Sequence, residues 1–193
     1  IQYHSPELPF GTTVSYAMGQ KTKDGASGNA TGLATGVGNG ANGDSMDEYS
    51  LVTSPIDGLK LSASYYEYND YGDGQGATHD QLEEGGAYGI KYSAGNLTVG
   101  YGKSFKAPAS TEIDSGATTV EYYENTGYSI GYAVNDGLSV SYTNETGEAN
   151  YQTSSTTNYD IEMDSVQVAY SLGGATLSIA RTDYENIGYA DGV

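Results

Sequence analysis

The segment IKYSAGNLTVGYG, residues Ile90 to Gly102, alternates between two kinds of side chain along its whole length. Read outward from the turn Ser93-Ala94-Gly95-Asn96, one parity carries Tyr88, Ile90 and Tyr92, then Leu97, Val99 and Tyr101. The other carries Ala87, Gly89, Lys91 and Ser93, then Thr98, Gly100 and Gly102. A period of two means strands, and two such runs around a Gly-Asn pair mean a tight hairpin. The surroundings must accept tyrosine at both ends of one face and almost nothing bulky on the other.

The same unit recurs along the chain. Strand, short turn and strand can be aligned from Ile1, Leu51, Ile90, Ile130 and Val168, the last four spaced 38 to 40 residues apart. Asp57-Gly58, Gly95-Asn96, Asp136-Gly137 and Gly173-Gly174 occupy the turns, residues suited to positive φ. Five hairpins give ten strands of about 9 to 11 residues. Long segments separate them, roughly 19–48, 69–85, 106–124, 144–164 and the tail from 186. An antiparallel meander places all short turns at one end and all long loops at the other. Those long segments, with their flanks, hold 16 of the 18 net negative charges, so one end is strongly acidic. Their Gly, Ser, Thr and Asn content predicts mobile, solvated loops.

Composition sets two signals against each other. Leu, Ile, Val and Phe make up 30 of 193 residues and the net charge is −18, a combination typical of disorder. Twenty tyrosines and the regular alternation argue for a folded sheet instead. Zero cysteines exclude disulfides, thiolate metal sites and cysteine nucleophiles. No apolar run reaches the roughly 18 residues of a membrane helix, and the chain opens without a charged-then-apolar leader.

Tyrosine placement points to the function. Tyr3, Tyr92, Tyr132 and Tyr170 fall near the short turns, whereas Tyr16, Tyr65, Tyr101 and Tyr142 fall higher, and aliphatic residues such as Leu61, Val99, Ile130 and Val140 lie between. Two aromatic levels around an aliphatic band are what a membrane-spanning sheet presents to lipid. The opposite parity, with Gln2, His4, Lys60, Ser62, Lys91, Ser129, Ser139 and Gln167, is polar enough to line water. The alternative is a soluble or surface-exposed acidic β-protein, an adhesin or structural subunit, with its tyrosine face against another sheet. Such a face calls for Leu, Phe and Trp at mid-strand, yet Trp is absent and Phe occurs twice.

Hairpin units such as GIKYSAGNLTVGYGKS and GYSIGYAVNDGLSVSYTNE resemble the Gram-negative outer-membrane porins, general diffusion channels usually built as trimers of sixteen-stranded barrels. The resemblance spans nearly the whole chain. It implies an all-β, antiparallel up-and-down transmembrane β-barrel, with residues 1–193 forming part of a single barrel domain and about ten of its strands. It also implies outer-membrane location, periplasmic short turns, extracellular long loops, a homotrimer, contact with lipopolysaccharide, and passive passage of small hydrophilic solutes. The long loops would then be the surface open to bacteriophage. Neither a constriction loop nor a C-terminal strand ending in an aromatic residue is present, so the chain reads as the middle of a longer polypeptide.

Site candidates are few. Lys60, Lys91, Gln2, His4 and Gln167 are expected to line the pore. Lys103 and Arg181, on the lipid-facing parity about seven residues above their turns, are placed to bind lipopolysaccharide phosphates. Asp70, Asp73, Asp80, Glu83 and Glu84 form a weak candidate for a divalent cation, without the full calcium-loop pattern. His79-Asp80 is a proton-transfer pair on paper, but no Ser-His-Asp arrangement accompanies it, so no enzyme is expected. No cofactor is implied, and net acidity argues against nucleic acid.

Overall fold

The computed structural model describes residues 1–20, 45–69, 81, 83–108, 120–152 and 159–191. They form ten strands: β1 (Gln2–His4), β2 (Thr13–Gln20), β3 (Ser45–Thr53), β4 (Leu59–Asn69), β5 (Glu84–Ala94), β6 (Leu97–Ala107), β7 (Val120–Ala133), β8 (Leu138–Tyr151), β9 (Ile161–Leu172) and β10 (Ala175–Glu185). All ten lie in one sheet in sequence order, each antiparallel to the next. The fold is thus an all-β up-and-down meander. Among the described residues β1 and β10 are unpaired edges, and the sheet stays open.

Ladder register carries the alternation across the whole sheet. Directly opposed residues share a face, so the row Leu59, Tyr92, Val99, Ile130, Tyr142 and Val166 belongs to the tyrosine face, and the row Lys60, Lys91, Gly100, Ser129, Thr143 and Ser165 to the polar one. A one-residue slip at any ladder would put both kinds on the same side.

Such rows climb away from the short turns. From the first hairpin to the last, the residue opposite its neighbour lies about seven positions farther from its own turn after eight strand steps, close to one residue per strand. With strand spacing near 4.8 Å and a rise near 3.3 Å, that stagger is a strand tilt of about 30–35°, next to the range that closed barrels need.

The turns differ in how they are made. Gly58, Gly95 and Gly173 have φ of 77°, 56° and 60°. Gly137 does not share this feature; there the Asn135 carboxamide caps the turn, accepting from Gly137 N at 2.9 Å and Leu138 N at 3.0 Å. Asx-type capping replaces the positive-φ glycine expected at this position. Between β1 and β2 the turn is the longest of the five, with a 3-10 element at Pro9–Gly11. That length corrects the placement of Tyr3, which stands opposite Tyr16 and so belongs to the upper tyrosine level.

Strands also run past the upper tyrosines, β7 and β8 to 14 residues each. Twelve of the 25 acidic residues therefore sit on strands at the long-loop end, among them Asp47, Glu67, Glu84, Glu124, Asp164 and Asp183. This corrects the expectation of acidity borne on loops: toward that end the apolar alternation gives way, and pairing continues through Thr, Asn and Glu, because ladder bonds need only backbone groups. The acidic stretches at 70–80 and 112–114 fall outside the described residues.

Among the described residues no core accompanies the sheet: the only buried hydrophobics are Ala107 and Ala149, and no large side chain is fully buried. Val99, Ile130 and Leu177, mid-strand on the tyrosine face, are 39%, 46% and 64% exposed.

Candidate functional site

The polar face is concave. It bounds a cavity of about 810 Å³ over β4 to β8, lined mainly by Lys60, Ser62, Gly89, Lys91, Gly100, Ser129, Thr143, Glu145 and their sequence neighbours. Small side chains keep it open, and hydroxyl pairs tie neighbouring strands on the polar face, Ser93–Thr98 between β5 and β6 and Ser165–Thr182 and Ser171–Thr176 between β9 and β10, each at 3.0 Å. Lys60 and Lys91 are directly opposed Cα partners. Like charges so placed repel, and both are exposed to the concavity. Neither has an ion-pair partner among the described residues. They make a spot of positive potential near the short turns, in a face whose lining is otherwise mostly hydroxyls and bare backbone, with Glu145 and Asn125 nearer the long-loop end.

Gln2, His4 and Gln167 share that parity, as expected, but they are not brought to the lysines. Gln2 stands opposite Ala17 and His4 opposite Ser15, on the β1 edge, with His4 Nδ1 2.9 Å from Ser15 Oγ. Gln167 lies between Ser141 and Ala180, toward the other edge.

The tyrosine face shows a repeated device. Tyr16, Tyr65 and Tyr142 each donate to a carboxylate on the next strand, two residues farther from the short turn than their own Cα partner: Asp47, Glu84 and Asp164. Tyr65 also donates to Glu67 at 3.1 Å, and Asn144 Nδ2 to Asp164 at 3.0 Å. The phenol oxygens are thereby aimed at the long-loop end. Rings pair along the same level, Tyr16 with Tyr49 at 5.2 Å, Tyr88 with Tyr101 at 6.2 Å, and Tyr128 with Tyr142 at 6.4 Å. Tyr92, Tyr132 and Tyr170 stand nearer the short turns, exposed on the same face.

Lys103 and Arg181 do sit on the tyrosine face, each already engaged. Lys103 Nζ is 2.6 Å from Glu124, and Arg181 Nε is 3.0 Å from Asp183. An anion arriving there must compete with a carboxylate for each cation. Of the acidic candidate, Asp70, Asp73 and Asp80 lie outside the described residues, as does His79. Glu83 and Glu84 point different ways: Glu84 is held by Tyr65 on the tyrosine face, whereas Glu83 pairs with Lys106 at 3.2 Å and accepts from Tyr66 at 3.3 Å. Among the described residues no cluster of three or more His, Asp or Glu is placed to hold a metal ion.

Sequence reasoning passed over a second set of tyrosines. Tyr66 and Tyr123 lie on the concave face at the long-loop end. Their signal is the doublet: in Tyr65-Tyr66 and Tyr122-Tyr123, consecutive strand residues must point to opposite faces, so one ring of each pair is turned inward. Comparison of the chain with known protein families and with characterised proteins finds no match.

Proposed function

We propose that this sheet is part of the wall of a porin, a water-filled β-barrel of the bacterial outer membrane through which small hydrophilic solutes and ions diffuse passively. The observation that carries the reading is an exposed aliphatic band, Val99, Ile130, Val140 and Val168, set between two tyrosine levels on the face opposite a polar concavity, with none of these four side chains buried by the described residues. Hydrocarbon suits that band and phenols suit the headgroup levels. Lipid also demands that backbone edges be paired, so β1 and β10 are the seams at which further strands close the barrel. The resemblance to porins adds sixteen strands and a homotrimer to this reading. Lys103 and Arg181, with their carboxylate partners, lie at the level where lipopolysaccharide phosphates are met.

Selectivity tests the reading. At the long-loop end the strand-borne carboxylates Asp47, Glu67, Glu84, Glu124, Asp164 and Asp183 share the tyrosine face and Glu48 and Glu145 the concave one, and an acidic rim of this kind concentrates counter-ions at the mouth. Lys60 and Lys91 oppose this with two positive charges farther inside. Full-length protein in planar bilayers is expected to conduct in discrete steps, with a reversal potential under a KCl gradient on the cation side. Lys60→Glu/Lys91→Glu shifts it further the same way. Anion selectivity unmoved by that double substitution, or the absence of steps, contradicts the proposal.

A further inference from the structure

Over most of its area the concave face is bare, but at the long-loop end it carries stacked rings. Tyr66 lies over Gly85, where an added Cβ would be 2.6 Å from its ring. Glu83 joins Tyr66 to Lys106. Lys106 stands opposite Tyr123, and Tyr189 packs on Tyr123 with centroids 5.9 Å apart and planes 33° from parallel.

Tyr189 is not part of the sheet. It comes from the turn after β10 and reaches back past β9 and β8. Asn186 and Tyr189, at φ of 54° and 61°, occupy the left-handed region that side-chain-bearing residues seldom adopt. Asn186 Nδ2 donates to Asp160 O at 3.0 Å and Tyr189 N to Asn186 O at 3.0 Å, which hold the turn in place. Partial burial, then the phenols of Tyr123 and Tyr151, push the Tyr189 phenol above its ordinary value, so it remains neutral.

We propose that the track from Tyr66 through Glu83 and Lys106 to Tyr123 and Tyr189 binds a neutral polyhydroxylated solute, a short oligosaccharide, at the long-loop mouth of the concave face. The proposal rests on the channel reading and names its solute. Ring faces stack on the C–H faces of pyranoses, while Glu83 and Lys106 accept from and donate to hydroxyls. Glu83 and Lys106 cancel at 3.2 Å, which removes the preference for an ionic ligand along the middle of the track, and the exposed Glu48, opposite Tyr66 at its β3 end, can accept from a further hydroxyl. Tyr66 on β4 and Tyr123 on β7 are three strand spacings apart, about 14 Å. That length fits a few sugar rings end to end.

Single-channel recording of the full-length protein with maltotriose added on the long-loop side tests this. Wild type is expected to show saturable block by maltotriose and only a linear, viscosity-like decrease with a polyethylene glycol of equal mass. Tyr123→Ala and Tyr189→Ala each raise the half-blocking concentration at least tenfold with KCl conductance within twofold of wild type, and Tyr123→Phe, which keeps the ring, blocks like wild type. Tyr189 lies outside the sheet, so its replacement leaves every ladder in place. Block unchanged in both alanine variants, equal effects of the two solutes, or tighter block by spermidine than by maltotriose overturns the oligosaccharide site while leaving the channel standing. A complete absence of conductance overturns the channel reading and this site with it.

Discussion

Val99→Arg and Val140→Arg are each expected to cost about 2 to 4 kcal/mol and to prevent stable assembly in membranes, whereas Ser139→Arg is expected to assemble normally. Val99 stands between Tyr92 and Ile130, and Val140 between Tyr132 and Val168, all on the tyrosine face. Ser139 is the next residue along β8 and therefore points into the concavity. Charge, size and strand are the same for Val140→Arg and Ser139→Arg; only the side of the sheet differs. Heat-resistant migration in mild detergent and the yield in a membrane fraction read the outcome directly. Equal tolerance at the three positions contradicts a lipid-facing band and favours a soluble sheet.

Gly58→Ala is the second large effect, expected to destabilise the assembled protein by about 2 to 4 kcal/mol. Two independent causes act at this position. With φ of 77°, Gly58 holds a conformation that strains any L side chain. A Cβ there would also sit 2.1 Å from Ser93 O, within the backbone approach that lets Ser93 N donate to Gly58 O at 2.8 Å. The substitution therefore pushes the β3–β4 turn off the end of β5. Gly173 is the control: its φ is 60°, yet nothing lies within 4 Å of the point a Cβ would occupy, and asparagine tolerates that conformation. Gly173→Asn is expected to shift the urea midpoint little, and a shift as large as that of Gly58→Ala contradicts the close-approach argument.

Strand identity and facing were legible because alternation is unbroken from Ile90 to Gly102 and in its repeats, and register is fixed wherever two faces differ. The turn between Val134 and Leu138 was not, since Asp136-Gly137 has the composition of a positive-φ turn while Asn135 makes the capping bonds. The level of Tyr3 was hidden too, because height above a turn cannot be reckoned until the length of that turn is known. Strand ends above the upper tyrosines escaped notice as well: Thr143-Asn144-Glu145-Thr146 reads as loop by composition, yet ladder bonds form when a neighbouring strand is in place. The doublets Tyr65-Tyr66 and Tyr122-Tyr123 announce a ring on the concave face, but the meeting of Tyr189 with Tyr123 needed three-dimensional information, because 66 residues separate them.

Every ladder in the sheet joins strands adjacent in sequence, so the chain can acquire its structure piece by piece. Two residues close the β5–β6 turn, whereas 24 separate β2 from β3. The entropy of closing the longer connection exceeds that of the shorter by roughly 2 kcal/mol. Hairpins around short turns therefore form ahead of their docking to one another, and the slow steps are the joins across long connections. Growth proceeds by addition of two-stranded units, each with its register set by its own turn. Removing or duplicating one whole hairpin leaves the pairing inside every other hairpin untouched, so sheets of this kind widen or narrow by two strands at a time.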